Sequence, residues 1–192
     1  NFRAVMRWAT ERAHVDAELR LASAICRFWS LRGNVGEGYK WVDAALAKSR
    51  EASAALRAKL LHGTAALTYG NEERSVALDE EGLALARSAG DRETMTRCLL
   101  HLGVVYFQKK DFQMAHDFLT EGLTLARDID DKFLIGTAVQ ALAMVAQTEG
   151  DPARAARLHG SAEAIFERSS VGTGWRDSTI TAGRWRSGST QR

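Results

Sequence analysis

The 192-residue chain has one proline, two cysteines, no long apolar run and almost no net charge. Charges interrupt every apolar stretch after a few residues, so the ~20 consecutive apolar positions of a membrane-crossing helix are missing. Cys26 and Cys98 stand far apart, with no second cysteine near either. They read as buried thiols, which fits a reducing cytoplasm. The formal charge of +2 is unevenly spread. Residues 172–192 carry Arg176, Arg184, Arg186 and Arg192 against Asp177, which leaves the other 171 residues slightly acidic. A duplex-binding surface concentrates Lys and Arg on one face, so nucleic-acid binding by this body is not expected. The chain starts at Asn1 without a basic-then-apolar leader, and is read as a fragment or processed piece.

Apolar residues make up 45% and charged residues 26%, the balance of a folded, soluble protein. The main signal is self-similarity at a spacing of forty. Residues 55–91 laid over 95–131 align Arg57 with Arg97, Leu60 with Leu100 and Gly63 with Gly103. The same shift places Glu81-Gly82-Leu83 on Glu121-Gly122-Leu123, Ala86-Arg87 on Ala126-Arg127, and Asp91 on Asp131. Another step of forty reaches Leu142, Asp151, Ala155, Leu158 and Ile165, and a fainter copy precedes at an offset of 37. Four units follow: 16–51, 52–91, 92–131 and 132–171, after an N-terminal helix over 1–15 that caps the array.

Each unit reads as two helices. In the third, Leu99, Leu102, Gly103 and Tyr106 recur at helical spacing, as do Ala115, Leu119 and Gly122 after a short break. Asp111 stands where it can accept hydrogen bonds from the free amides of the next helix. Gly150-Asp151-Pro152 supplies a helix stop, a cap and a first-turn proline. Strand signals are absent. Gly63, Gly82, Gly103 and Gly122, with Ala143 and Ala162, recur inside helices, where glycine costs ~1 kcal/mol relative to alanine. Such recurrence predicts helices that approach too closely for a larger side chain. The expected fold is all-α, a right-handed superhelical solenoid of about four antiparallel helix pairs. The pattern Leu102-Gly103-x-x-Tyr106, then Ala115, Leu119 and Gly122, resembles the tetratricopeptide repeat in a forty-residue form.

The second unit carries Lys59, His62 and Asp79 where the third has Leu99, Leu102 and Leu119. These three are expected to form a polar cluster between the two helices, the alternative being that they face solvent.

No catalytic constellation is visible. Gly33 to Lys40 has the glycines of a phosphate loop, but Gly38-Tyr39-Lys40-Trp41 lacks its Gly-Lys-Ser/Thr and the preceding strand. The five histidines (His14, His62, His101, His116 and His159) never fall at ligand spacing, so no metal or cofactor site is expected. His159-Gly160-Ser161 lacks the strand–turn–helix context of a nucleophilic serine. The chain is expected not to be an enzyme.

A binding surface is expected where the first helices of each pair line the concave face. The candidates are Arg20, Arg27, Arg57 and Arg97, with Arg20, Arg57 and Arg97 as a basic row. Leu60, Leu67, Leu100, Val104, Phe107 and Met144 form an apolar floor, and Gln140 lies among them. Such a groove suits a protein or peptide, anchored by arginine to a carboxylate. The competing reading is that the arginines are solvated or pair with neighbours such as Glu93.

The N-terminal stretch Phe2-Arg3-Ala4-Val5-Met6-Arg7-Trp8, then Phe28-Trp29-x-x-Arg32-Gly33 and Glu37-Gly38-x-x-Trp41, resembles the region after the nucleotide-binding module of bacterial STAND-class predicted ATPases. Arg154 to Ala164 resembles their last repeats. That resemblance, over residues 1 to about 171, implies the regulatory arm of a cytoplasmic transcriptional regulator of LuxR type or of a cyclase-fused signalling protein. The arm would bind another domain of the parent protein, a partner protein or a small-molecule inducer. A self-association scaffold is the alternative. Residues 172–192 depart from the family. They are expected to be disordered, or else to lay Trp175 and Trp185 over the C-terminal edge at Ala162, Ile165 and Phe166, which would otherwise favour homo-oligomers.

Overall fold

The computed structural model describes residues 15–32, 35–68 and 70–170, without the side chains of 27–32, 35 and 170. The expectations for residues 1–14 of the 1–15 cap, the Gly33-Asn34 turn, the Arg27 side chain and the 172–192 tail lie outside these residues. Eight α-helices account for most of what is described: α1 Val15–Arg32, α2 Val35–Lys48, α3 Ala54–Leu67, α4 Glu72–Ala89, α5 Arg92–Gln108, α6 Phe112–Asp128, α7 Lys132–Thr148 and α8 Pro152–Ser170. No strand occurs among the described residues, and none of their helices is long and apolar enough to cross a membrane.

The last four connections use one piece of chemistry. A residue with left-handed backbone ends each helix: Gly90 (φ 67°), Lys110 (φ 64°), Asp130 (φ 53°) and Gly150 (φ 84°). The next amide, on Asp91, Asp111, Asp131 or Asp151, donates back to the carbonyl of Ala86, Tyr106, Ala126 or Ala146. This is the Schellman closure of a helix C-terminus. The same aspartates then cap the following helix, their carboxylates accepting from the amides of Thr94, Met114, Leu134 and Arg154. Two residues thus end one helix and start the next, and so short a link leaves neighbouring helices antiparallel. Asn71 does the same for α4, accepting from the amide of Arg74 after Gly70 (φ 72°).

Packing follows from the linkage. Each helix lies against its chain neighbours, and α3 also meets α1 and α5, while α5 meets α7. The molecule is an α-helical repeat solenoid, its core running from one pair into the next. Leu19, Cys26, Val42 and Leu60 join α1, α2 and α3; Leu83, Cys98 and Leu102 join α4 and α5; Leu119, Leu134 and Leu142 join α6 and α7. No pair closes a core alone, as a repeat array requires.

The recurrent small residues sit at the helix crossings. A Cβ on Gly103 would lie 2.6 Å from Leu119 Cγ and 3.2 Å from the Ala115 carbonyl, and one on Gly122 would lie 2.7 Å from Leu100 Cδ2. On Gly63 it would lie 2.3 Å from Cys26 Sγ, and on Gly82 3.3 Å from Leu61 Cβ. Ala143 and Ala162 are buried as well. The glycines are there for contact between helices.

Candidate functional site: a buried His–Asp–His cluster and a half-open strip

The predicted groove is only partly a surface. Leu60, Leu67 and Leu100 are 0%, 2% and 5% exposed and belong to the core between helix pairs, so they do not form an open floor. The first helices of successive pairs touch, and these leucines fill the contact. Val104 and Phe107 on α5, with Gln140 and Met144 on α7, remain half-buried on two helices that pack together.

The basic row is tied up within the chain. Arg20 pairs with Asp16 at 2.6 Å and Arg97 with Glu93 at 2.9 Å, each one helical turn away. Arg57 reaches Glu81 on α4 at 2.7 Å and donates to Ser49 Oγ at 3.1 Å. Surface pairs of this kind contribute about 0–1 kcal/mol each. They nevertheless hold the guanidinium groups that a carboxylate ligand would need.

The more distinctive arrangement lies between α3, α4 and α5. Asp79 occupies on α4 the place that Leu119 takes on α6, where Leu119 presses against Gly103. The Asp79 side chain is 0% exposed. Its Oδ1 lies 2.9 Å from Nδ1 of His62 on α3, and its Oδ2 is hydrogen-bonded to Nδ1 of His101 on α5. Each ring donates through Nδ1 to the carboxylate and turns Nε2 away from it. The two rings meet edge to face, centroids 5.9 Å apart, and are 20% and 25% exposed. Cys98, one turn before His101, is fully buried and feels the charge of the carboxylate.

Electrostatics follow from this burial. Loss of water pushes the Asp79 carboxyl up, but the charges and hydrogen bonds of His62 and His101 together outweigh it and hold the group below its ordinary range. Burial first, and then the charge of Asp79, push the Cys98 thiol far up, so it stays protonated. Cys26 is pushed up to about 12 by burial. Both cysteines are inert buried thiols.

Part of this cluster was expected and part was not. His62 and Asp79 do meet between the helices of the second pair. Lys59 does not join them; its side chain is 47% exposed and reaches Asp91 at 3.4 Å. The third member is His101, from the next pair. No histidine spacing along the chain announces it, because the repeat sets His101 against Leu61 and His62 against Leu102. The available signal was that three positions turn polar together whose counterparts in the neighbouring unit are Leu102, Leu119 and Leu61. A single polar replacement in a repeat core must find a partner, and here the partners cross between pairs.

No protein-family model matches the chain. Over 145 residues, 70% of its length, it is 30% identical to "Putative HTH-type transcriptional regulator Rv0890c" of Mycobacterium tuberculosis (strain ATCC 25618 / H37Rv). It is equally similar to "Putative HTH-type transcriptional regulator Mb0914c" of Mycobacterium bovis (strain ATCC BAA-935 / AF2122/97). The matched stretch is 16% of each, so the chain spans about a sixth of the length of the curated relatives it resembles.

Proposed function

We propose that this helical array is the non-catalytic regulatory arm of a larger bacterial transcriptional regulator, and that it works by binding a partner protein, another domain of its parent or an inducer. The observation that carries this reading is the 30% identity to relatives named as HTH-type transcriptional regulators, over a stretch that is a small fraction of their length. A repeat array of this kind supplies surface rather than chemistry. In the finer reading it is a right-handed tetratricopeptide superhelix serving a STAND-class ATPase with a LuxR-type DNA-binding domain. The half-open strip of Val104, Phe107, Gln140 and Met144 is the contact surface, because an apolar strip left half-open across two helices suits a partner helix or peptide. The reading needs the arm to bind one state of the parent better than another.

The test uses the full-length parent protein with Val104→Glu and Met144→Glu together. Promoter occupancy and ATP turnover are compared with the wild type after circular dichroism has shown the array to be folded. The expected result is a severalfold change in ATP turnover or regulated transcription, with DNA binding by the parent intact. Unchanged regulation, or nucleotide turnover by the isolated array, would contradict the proposal.

A further inference from the structure

We propose that His62, Asp79 and His101 form a binding site for a divalent first-row transition ion, Zn2+ foremost, at the junction of the second and third helix pairs. The site does not depend on the regulatory role above. Two imidazoles and one carboxylate are a borderline donor set, suited to Zn2+ and its neighbours and poorly suited to Ca2+ or Mg2+, which take oxygen ligands. The ligand atoms of the three residues lie within 4.8 Å of one another. Tetrahedral Zn2+ with bonds of about 2.0–2.2 Å sets its ligands ~3.3–3.5 Å apart, so closure needs shifts of about an ångström. The two partly exposed rings have room for them, while Asp79 stays fixed in the core.

The surroundings fit the same reading. The Asp79 carboxylate is fully buried and held by both rings, so its orientation is fixed before an ion arrives. In the metal-free protein the Nδ1 protons fill the space between rings and carboxylate. On binding, each ring carries its proton on Nε2 and offers the Nδ1 lone pair inward. The exposed ring edges provide the way in. Three protein ligands leave a fourth position for water or for a donor group of a bound molecule. The equivalent positions are Leu102, Leu119 and Leu61, so an all-apolar packing is available to this fold. A buried polar trio is often no more stabilising than such packing, so stability alone does not account for it here. Because the ligands come from α3, α4 and α5, the ion would fix the angle between consecutive pairs and hence the curvature of the array.

The full chain, stripped of metal with a chelator, is titrated with Zn2+ by calorimetry and followed by thermal unfolding. One Zn2+ per chain is expected, with a dissociation constant at or below about 10 µM. At about a hundredfold excess over that constant, Tm should rise by roughly 5–10 °C. His62→Ala and His101→Ala should each weaken binding at least about tenfold, and His116→Ala, away from the cluster, should not. Co2+ bound to the wild-type chain should give the intense visible bands of four- or five-coordination. This readout stands even if a variant fails to fold. Absence of Zn2+ binding at about 100 µM, affinity unchanged in both cluster variants, or a weak six-coordinate Co2+ spectrum would overturn the proposal.

Discussion

Replacing Asp79 by asparagine isolates charge from packing. The side chain keeps its size and its fully buried place, but loses the anion that accepts from both histidines. Hydrogen bonds to a charged group contribute about 1.5–3 kcal/mol and neutral ones about 0.5–1.5, so two such exchanges remove ~2–3 kcal/mol. Not burying a charge returns part of this. The net expected loss is about 1–2 kcal/mol near pH 7, or roughly 2–8 °C in Tm for a protein of this size. The acid limb adds a second signature. Because the folded Asp79 carboxyl lies below its ordinary value, its stabilisation is complete above the unfolded value of ~3.9. It disappears as pH falls through the folded value. Thermal unfolding between pH 7 and pH 2.5 should therefore show wild type and Asp79→Asn converging at the acid end. A variant as stable as the wild type at pH 7, with a parallel acid profile, would refute the claim that the histidines hold this carboxylate in its ionised form.

Other perturbations test the turns and the thiols. Lys110 sits in left-handed backbone without glycine's freedom, so Lys110→Gly should stabilise by about 0.5–1 kcal/mol in denaturant unfolding. Asp131→Ala removes the cap on the Leu134 amide and should cost about 0.5–2 kcal/mol by the same measurement. The raised Cys98 thiol contributes stability that is complete below the unfolded value of ~8.5 and lost as pH rises above it. Cys98→Ser should flatten the loss between pH 8.5 and 10.5 in a chemical-unfolding series.

The fold was legible because its period is written in residues that packing and turn geometry demand. Gly103 and Gly122 mark crossings where a Cβ has no space, and Asp91, Asp111, Asp131 and Asp151 mark helix starts every twenty positions. Depth was less legible. Leu100 shares a helix face with Val104, and Leu60 is its counterpart one unit earlier, yet contact between successive pairs closes over the two leucines and leaves Val104 half-open. The arginines were ambiguous for a similar reason: a partner such as Glu81 lies 24 residues from Arg57, and helical spacing alone does not bring them together. The His–Asp–His cluster was half visible. The polar residues at 62 and 79 broke the pattern of their own unit, whereas His101 completes the cluster from a different unit, out of register with either.

Small residues let antiparallel helices touch at fixed crossings, and one matched pair of substitutions tests this most directly. Gly160 lies on an exposed part of α8 with nothing within 4 Å of an added Cβ, so Gly160→Ala should gain about 1 kcal/mol from helix propensity alone. Gly103→Ala would gain the same propensity but drive a methyl to 2.6 Å from Leu119, whose side chain is 1% exposed and has nowhere to move. Overpacking of about 1–3 kcal/mol should then exceed the gain and make the change destabilising. Denaturant unfolding of the two variants beside the wild type should give opposite signs; stabilisation by both would contradict the account.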